Sequence, residues 1–466
     1  MKTLYLSGAP HKMSERIAYC RFLLGLHLNY GKISYGKLIK GGLTVSRTIQ
    51  VDERPSIGES IPLSLQHLFA MFGATVLVPI LFEVDPATIL LMNGLGTLLY
   101  IYITKGKIPA FLGSSFAFLS PVLAVLASYG YSTALGGFIV VGFIFIIVAL
   151  LIRVAGTRWI DVVFPPAAMG AIVAVIGLEL VPTAAEMAGF VAPSDAAPDW
   201  SPDPATVTVS IFTFLVGVIG TVVFRGLLKV IPILVAIVAG YVLAAWMGLV
   251  HVGEALEAAE WFRRPTFYAP SFHIPSILMI APAALVVIAE HIGHLIVTGN
   301  MVGKDLSKDP GLSRSLLGNG VSTTLSAVVG STPNTTYGEN IGVMAISRVY
   351  SVWVIGGAAV LAVVLSFIGK ISALIQTIPT PVMGGVSLLL FGVIAVSGIR
   401  MLVESKVDYN KPVNLILTTV VLVIGLSGAT FKFGYLELTG MALATVVTIV
   451  LSVFFKLLEM LKLSNE

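Results

Sequence analysis

The chain has 466 residues, of which 56% are hydrophobic and only 11% are charged, and its mean hydropathy is +0.96. A soluble domain of this length needs far more charge on its surface, so the composition excludes a soluble globular protein. The net charge of +4 does not indicate nucleic acid as a partner, because the basic residues lie in loops between apolar segments, where they set orientation in a membrane. The single cysteine, Cys20, excludes an internal disulfide framework and a multi-cysteine metal site.

The first 44 residues differ from the rest of the chain. They contain seven Lys or Arg residues and one acidic residue, Glu15, and their longest apolar stretch is too short to span a membrane. One interpretation is a basic amphipathic arm on the membrane surface. We favour an untranslated leader, because Lys40-Gly41-Gly42 can be encoded by a ribosome-binding sequence and Val45 follows at the spacing of a start codon. Residues 1–44 are therefore set aside, and residues 45–60 are predicted to form the cytoplasmic N-terminus.

Apolar runs of about 20 residues recur from Ile61 onwards, and each is long enough to cross a bilayer. Their boundaries carry turn-forming residues, such as Asp85-Pro86 and Asp309-Pro310. The pattern predicts an all-α polytopic membrane protein with 14 transmembrane helices. The predicted spans are 61–82, 86–104, 109–128, 133–153, 162–181, 207–223, 228–249, 276–299, 313–329, 332–347, 351–370, 381–399, 412–428 and 438–459.

The distribution of Lys and Arg between alternate loops predicts the orientation. With the first loop placed inside, 17 Lys and Arg residues after residue 44 lie inside, and four lie outside, namely Arg263, Arg264, Lys370 and Lys432. Cytoplasmic loops carry such an excess of positive charge. We therefore expect a multi-pass protein of the cell (plasma or inner) membrane, surrounded by lipid, with both termini in the cytoplasm.

The first seven spans resemble the last seven. Residues 93–97 align with residues 319–323, since both segments begin with Asn-Gly and end with Thr. Seven is an odd number, so the second copy must enter the membrane upside down. We predict inverted repeats at 61–249 (spans 1–7) and 276–466 (spans 8–14), joined by an extracellular loop at 250–275. Inverted repeats are typical of secondary transporters, in which the substrate binds near the midplane.

Spans 3 and 10 occupy equivalent positions in the two repeats, and both contain residues that interrupt a helix. Span 3 contains Gly113-Ser114-Ser115, and the stretch 330–340 (GSTPNTTYGEN) is too polar and too rich in β-forming residues for a lipid-facing helix. Non-helical backbone at membrane depth must line a cavity or be buried in protein. We predict a short extended segment in each span, leading into a half-helix whose N-terminal N–H groups face the midplane.

Ionisable residues inside apolar spans are the first candidates for function. Glu290 and His294 lie four residues apart in span 8 and share a helix face, and Glu339 is predicted near the midplane in span 10. The alternative is that Glu290 and His294 only pair with each other and hold helices together. For His291, which points to another face, packing is the favoured interpretation, whereas for Gln66 a core hydrogen bond and a functional role are both open.

Two carboxylates, two half-helix N-termini and aromatic rings suit a flat, uncharged ligand with alternating N–H donors and C=O acceptors, such as a pyrimidine-2,4-dione. Glu290 and Glu339 can accept its N–H groups, and backbone N–H groups near Phe116 and Gly338 can donate to its carbonyls. Phe116 or Tyr337 can lie against the ring, although packing alone explains the aromatic residues too. The same acids would repel an anion.

At these residues the chain resembles the nucleobase–ascorbate transporter family, and the similarity extends from about Val51 to Lys462. The most specific stretches are 64–73 (SLQHLFAMFG), 289–294 (AEHIGH) and 332–340 (TPNTTYGEN). The resemblance implies secondary active import of uracil by proton symport, with the proton as coupling ion and with no cofactor.

The resemblance also implies an architecture and roles for residues. A core domain of spans 1–4 and 8–11 would move against a gate domain of spans 5–7 and 12–14, and a homodimer would form through gate helices. Glu290 and Glu339 would bind uracil, with backbone contacts and ring packing from Phe116 and Gly338. His294 would pair with Glu290 and help to couple the proton.

Other functions fit the sequence less well. A purine or xanthine carrier needs the same donors and acceptors but a larger cavity. A channel or anion exchanger on this scaffold is disfavoured by the intramembrane acids and by the paired broken spans. An enzyme is not expected, because the sequence has no phosphate loop or nucleophile elbow, and residues 290–294 lack the first His of a zinc-protease helix. Phe391 departs from a close member of that family, in which a tyrosine is expected at this position, and the lost hydroxyl would alter a gate contact without changing the substrate.

The leader hypothesis predicts the N-terminus of the purified protein. Mass spectrometry of protein expressed from its natural upstream sequence is expected to find an N-terminal peptide that begins at position 45. An intact peptide that begins at Met1 would contradict the hypothesis.

Overall fold

The computed structural model describes residues 48–463, apart from residues 194–195, 251 and 435. The predicted leader at residues 1–44 therefore lies outside the described residues. Most of the described chain is helical, as predicted, and the strands are only three or four residues long.

The described chain forms a long series of mostly apolar helices, which are separated by short loops and four short strands. The helices are α1 (Ile57–Ala70), α2 (Phe72–Phe82), α3 (Pro86–Ile103), α4 (Leu119–Tyr129), α5 (Tyr131–Ala155), α6 (Arg158–Val163), α7 (Pro166–Glu179), α8 (Val181–Met187), α9 (Pro204–Val223), α10 (Pro232–Trp246), α11 (Val252–Ala258), α12 (Ile274–Ile280), α13 (Ala283–Val302), α14 (Leu312–Val329), α15 (Gly338–Ser347), α16 (Val352–Ser366), α17 (Gly369–Gln376), α18 (Thr380–Glu404), α19 (Pro412–Leu426) and α20 (Gly440–Met460). The strands are β1 (Leu112–Ser114), β2 (Asn334–Thr336), β3 (Thr430–Phe433) and β4 (Leu436–Thr439). The hairpin of β3 and β4 was not expected from the sequence.

Within the described ranges, seven helical stretches are long and apolar enough to cross a membrane, or eight if the bent pair α1 and α2 forms one span. Four further apolar helices have 10–17 residues, and they lie in predicted spans 3, 7, 11 and 13. Helix α14, in predicted span 9, buries several polar residues, and α15, in predicted span 10, buries Asn340. The count of 14 spans and their inversion therefore stay predictions, while the multi-pass character of the chain agrees with the structure.

Several helices begin where the sequence placed turn-forming residues. The Asp85 carboxylate accepts a hydrogen bond from the Ala87 N–H at 3.0 Å, with proline at the first position of α3. The Asp203 carboxylate likewise accepts from the Thr206 N–H at 2.8 Å at the start of α9. An acceptor at the N-cap satisfies a backbone donor that the helix itself leaves free, and proline at the next position removes another such donor.

Two sets of helices pack most extensively within themselves. In the first set, α14 packs against α5 and α3, and α16 packs against α3 and α1. In the second set, α18 packs against α7, α8 and α9, while α19 packs against α7 and α20. Glycines allow close approach in both sets, which is typical of helices that associate in a membrane. For example, a Cβ at Gly177 on α7 would overlap backbone atoms of Phe391 and Ala395 on α18.

The loop between α11 and α12, which was predicted to be extracellular, is attached to the N-terminal end of α3. Arg263 forms an ion pair with Asp85, and the Thr266 N–H and Ser372 hydroxyl donate to the same carboxylate at 3.0 and 2.9 Å. Burial alone would raise the pKa of Asp85, but the hydrogen bonds outweigh burial, so the pKa lies below its usual value. Asp85 is only 3% exposed, and its paired charge anchors the loop.

Two glycines on α18 provide a matched test of helix packing. A Cβ at Gly398 would overlap backbone atoms of Gly170 and Ala174 on α7, whereas a Cβ at Gly392 would meet nothing within 4 Å. We expect Gly398→Ala to destabilise the protein by about 1–3 kcal/mol through overpacking. Gly392→Ala should be neutral, or stabilising by up to about 1 kcal/mol through helix propensity. Thermal unfolding of both variants in detergent measures the difference, and equal melting temperatures would contradict the packing described.

Candidate functional site

Two short strands pair with each other where the helices of predicted spans 3 and 10 are interrupted. β1 and β2 are antiparallel, with the pairs Leu112 and Thr336, Gly113 and Thr335, and Ser114 and Asn334. Two backbone bonds extend the pairing, from the Ser115 N–H to the Pro333 carbonyl at 3.1 Å and from the Tyr337 N–H to the Phe111 carbonyl at 2.9 Å. Each segment thereby satisfies backbone groups of the other, as buried non-helical backbone requires. The two predicted extended segments are confirmed.

Threonine hydroxyls on neighbouring helices hold each strand in place. The Leu112 N–H donates to Thr97 Oγ1 on α3 at 2.8 Å, and the Asn334 N–H donates to Thr323 Oγ1 on α14 at 3.2 Å. The two threonines end the segments that align between the predicted repeats. The strands are therefore attached to the first helix set from both sides by similar contacts.

Each strand leads into a helix that begins at the crossing. β1 is followed by a 3-10 turn at Phe116–Phe118 and then by α4, and β2 is followed by α15, which begins at Gly338. No N-cap side chain bonds to either of these N-termini, so their backbone donors are suited to a ligand. Gly338 is exposed although residues 331–337 are buried. The start of α15 therefore faces an open space.

Glu290 on α13 and Glu339 on α15 lie beside this opening. α13 packs against α15, β2 and the turn at Phe116–Phe118, and the two carboxyl groups are close enough for their charges to interact. Both residues are half-buried, but Glu290 Oε2 is buried and has no hydrogen-bond partner. An unpaired buried oxygen is costly, and an N–H donor of a ligand would relieve that cost. Across the described residues, no group of three or more His, Cys, Asp and Glu could hold a metal ion.

His294 points to β2 rather than to Glu290. Its Nδ1 lies 3.0 Å from Thr336 Oγ1, and a Cβ at Gly338 would lie 3.4 Å from its Nε2. The pairing of His294 with Glu290 that the family resemblance implied is not formed: His294 Nδ1 contacts the Thr336 hydroxyl, and Glu290 Oε2 is left without a partner. His294 instead lies directly behind the exposed start of α15.

The two aromatic candidates have different surroundings. The Phe116 ring packs edge-on against Phe391 of α18, with ring centroids 5.9 Å apart and an interplanar angle of 87°. The Tyr337 ring is 4% exposed and lies against Gly113, where a Cβ would overlap it. The Phe116 side chain therefore connects the 3-10 turn to the second helix set, whereas the Tyr337 ring packs against β1. Their roles in ligand binding stay predictions.

Several buried polar residues that were not predicted as site residues hold the helices of the site together. Asn340 Nδ2 lies 3.2 Å from both Nδ1 and the carbonyl oxygen of His67 on α1. His291 Nε2 lies 2.8 Å from Ser315 Oγ, which lies 2.7 Å from the Tyr100 hydroxyl on α3. These contacts join α15 and α13 to the first helix set and agree with a packing role for His291. Their only signal in the sequence was a polar residue in an apolar helix.

The fold is similar to solved transporter structures at low sequence identity. The transmembrane domain of a cyanobacterium bicarbonate transporter, BicA, matches with a TM-score of 0.57 and 13% identity, covering 88% of this chain and 99% of that chain. The overall structure of SLC26A9 matches with a TM-score of 0.63 and 11% identity, covering 86% of this chain and 66% of that chain. At such identities the likeness shows the fold alone.

The sequence comparisons are much closer. The sequence model described as "Permease family" matches residues 58–434. A protein named uracil permease from Paenibacillus larvae is 66% identical over 420 residues, which cover 90% of this chain and 99% of that protein. A uracil permease from Escherichia coli (strain K12) is 62% identical over 416 residues, which cover 89% and 96% of the two chains. The family expected from the sequence is thus confirmed: the chain belongs to this permease family and is a multi-pass membrane transporter, not an enzyme.

Proposed function

We propose that this permease imports uracil together with a proton. The observation that carries the proposal is the arrangement of two carboxyl groups, Glu290 and Glu339, beside the exposed and uncapped start of α15. The names of relatives at 66% and 62% identity support uracil as the substrate. The function is thus secondary active transport of a small, flat, uncharged molecule.

The chemistry of the site matches the edge of a pyrimidine-2,4-dione. Glu290 Oε2, which is buried without a partner, can accept an N–H group of the base, and Glu339 can accept a second. The backbone N–H groups at Gly338 and in the turn at Phe116 can donate to the carbonyls. The Phe116 ring can contact the face of the base, while the enclosed ring of Tyr337 supports the shape of the site from behind.

A proton can be coupled to this binding through the charge of the site. Two carboxylates in a largely apolar interior repel each other, and a proton on one of them removes that repulsion. A protonated site would also cross the membrane without carrying an isolated charge. Glu290, Glu339 and His294 are the titratable groups at the opening, and we assign proton coupling to them as a group.

The two helix sets suggest how the site reaches both sides of the membrane. The proposal places spans 1–4 and 8–11 in a core that carries the site and spans 5–7 and 12–14 in a gate, within two inverted repeats of seven helices. Movement of the core against the gate would expose the site alternately. The protein would lie in the cell membrane with both termini in the cytoplasm, and gate helices would form a homodimer.

Anion transport is the alternative to transport of an uncharged base, because one solved structure with a similar fold is a bicarbonate transporter. That likeness concerns the fold alone. Two carboxyl groups at the opening would repel an anion, and no Lys or Arg contacts Glu290 or Glu339 in the described chain. The site chemistry therefore favours an uncharged base.

Uptake of radiolabelled uracil into proteoliposomes tests the proposal. A gradient of about one pH unit, acidic outside, should concentrate a substrate carried with one proton by up to about tenfold. Equilibration without accumulation would indicate a facilitator, and accumulation driven only by a sodium gradient would contradict proton coupling. Preferential competition by xanthine over thymine and cytosine would instead favour a purine carrier.

The carboxyl groups are tested one at a time. Glu290→Gln and Glu339→Gln each replace one carboxyl oxygen by an N–H₂ group, which cannot accept an N–H group of uracil, so each should weaken binding by about tenfold through the loss of one hydrogen bond. Glu459→Gln is the matched control and should leave binding unchanged, because Glu459 is exposed and its carboxylate pairs with Lys456 on the surface. Calorimetry on detergent-solubilised protein measures the affinity. Unaltered affinity in either site variant would remove that residue from the site.

A further inference from the structure

A half-buried carboxyl group inside a predicted span has no part in the site described above. Glu179 is the last residue of α7, is half-buried, and lies in predicted span 5. Acidic residues at membrane depth are rare, because their burial is costly without partners. The contacts of Glu179 must therefore compensate for the cost of its burial.

The Glu179 carboxylate bonds in two directions. Its Oε1 accepts a hydrogen bond from the Ser120 hydroxyl at 3.0 Å, and its Oε2 accepts one from the Met441 N–H at 3.2 Å. Gly440 has a φ of +48°, and a Cβ at that position would overlap Oε1. The N-terminus of α20 has no capping side chain of its own, so Glu179 supplies its acceptor from another helix.

The two partners belong to different parts of the fold. Met441 begins α20, which packs against α19 and α7 in the second helix set. Ser120 lies in the first turn of α4, directly after the turn at Phe116–Phe118, and α4 packs against α5 of the first set. The hydrogen bond between Ser120 and Glu179 therefore joins the half-helix that begins at the site to the second helix set.

The turn at Phe116–Phe118 makes a second contact with the second helix set, because the Phe116 ring packs against Phe391 of α18. Ring packing tolerates small displacements, whereas a hydrogen bond to a carboxylate is lost within a few tenths of an ångström beyond its normal length. The bond from Ser120 would thus respond more sharply than the ring contact if α4 moved relative to α7.

We propose that Glu179 is a positioning residue of the transport cycle, whose bond to Ser120 holds the site-bearing half-helix against the second helix set in one conformation and breaks when the first set moves. The proposal rests on the alternating access proposed above but not on the identity of the substrate. While the bond to Ser120 is broken, the bond to Met441 keeps the carboxylate partnered, so the charge of Glu179 is not left isolated in the membrane.

A purely structural role is the competing explanation, in which Glu179 only caps α20. Ser120→Ala distinguishes the positioning role from the capping role, because it removes the hydrogen bond between Glu179 and the first helix set and leaves the bond from the Met441 N–H to Glu179 intact. Ser452→Ala is the matched control: its hydroxyl bonds to the Val162 carbonyl at 2.5 Å, so it removes a similar bond outside the contact between Ser120 and Glu179. Glu179→Gln keeps the shape of the side chain but weakens both of its bonds.

The experiment measures the distance between the two helix sets. Spin labels are attached after Tyr102→Cys on α3 and Val403→Cys on α18, both at exposed positions, in a Cys20→Ser background in lipid nanodiscs. Pulsed dipolar spectroscopy then gives the populations of the conformations, with and without uracil. Melting temperatures confirm that each variant is folded.

Ser120→Ala should change the ratio of the two populations by about tenfold or more, as expected for the loss of a hydrogen bond to a charged group. Glu179→Gln should shift it in the same direction, and the double variant should shift it no further than the larger single change, because the bond between the helix sets that Glu179→Gln weakens is the same bond that Ser120→Ala removes. Ser452→Ala should leave the ratio unchanged.

Two results would overturn the proposal. The first is a population ratio in Ser120→Ala that equals the wild-type ratio, which includes the case of a single distance in both proteins. The second is a shift of the ratio in Ser452→Ala as large as that in Ser120→Ala. Failure of the proposed substrate looks different. If the wild-type protein neither binds nor accumulates uracil but Ser120→Ala shifts the populations, the positioning role of Glu179 is retained and uracil is rejected.

Discussion

The structure depends on the need of buried backbone for hydrogen-bond partners where no water is present. Two spans stop being helical in the interior, and each would leave several N–H and C=O groups unsatisfied if it stood alone. The antiparallel pairing of β1 with β2 solves this problem for both at once. Because Thr97 and Thr323 attach the strands to α3 and α14, the crossing is fixed in the first helix set, and with it the starting points of α4 and α15.

The composition of the site follows from this crossing. Two helices that start inside the protein present backbone donors without any charged residue. In the proposed site, the acceptors are the carboxyl groups of Glu290 and Glu339. Gly338 at the start of α15 lies beside His294, while the Tyr337 ring lies against Gly113 of β1. Donors from the backbone and acceptors from side chains are complementary to an uncharged ring that has both kinds of group.

The sequence predicted the parts of the fold that local chemistry controls. The polar and β-rich stretch 330–340 predicted an extended segment, and Asp85 followed by proline predicted the start of α3. It could not predict which groups meet across the fold. The pairing of His294 with Thr336 instead of Glu290 depends on how far β2 lies from α13. The bond between Glu179 and Ser120 joins residues 59 positions apart, and each of them alone resembles an ordinary polar residue at a helix end.

The crossing of β1 and β2 also has a consequence for the biosynthesis of the protein. The ribosome completes β1 more than two hundred residues before β2, so the first half of the chain enters the bilayer with an extended segment that has no strand to pair with. During that interval only water or the insertion machinery can supply the missing partners. We therefore expect stable integration of the segment that contains β1 to wait for the synthesis of β2, so that the two halves mature together rather than in order of synthesis.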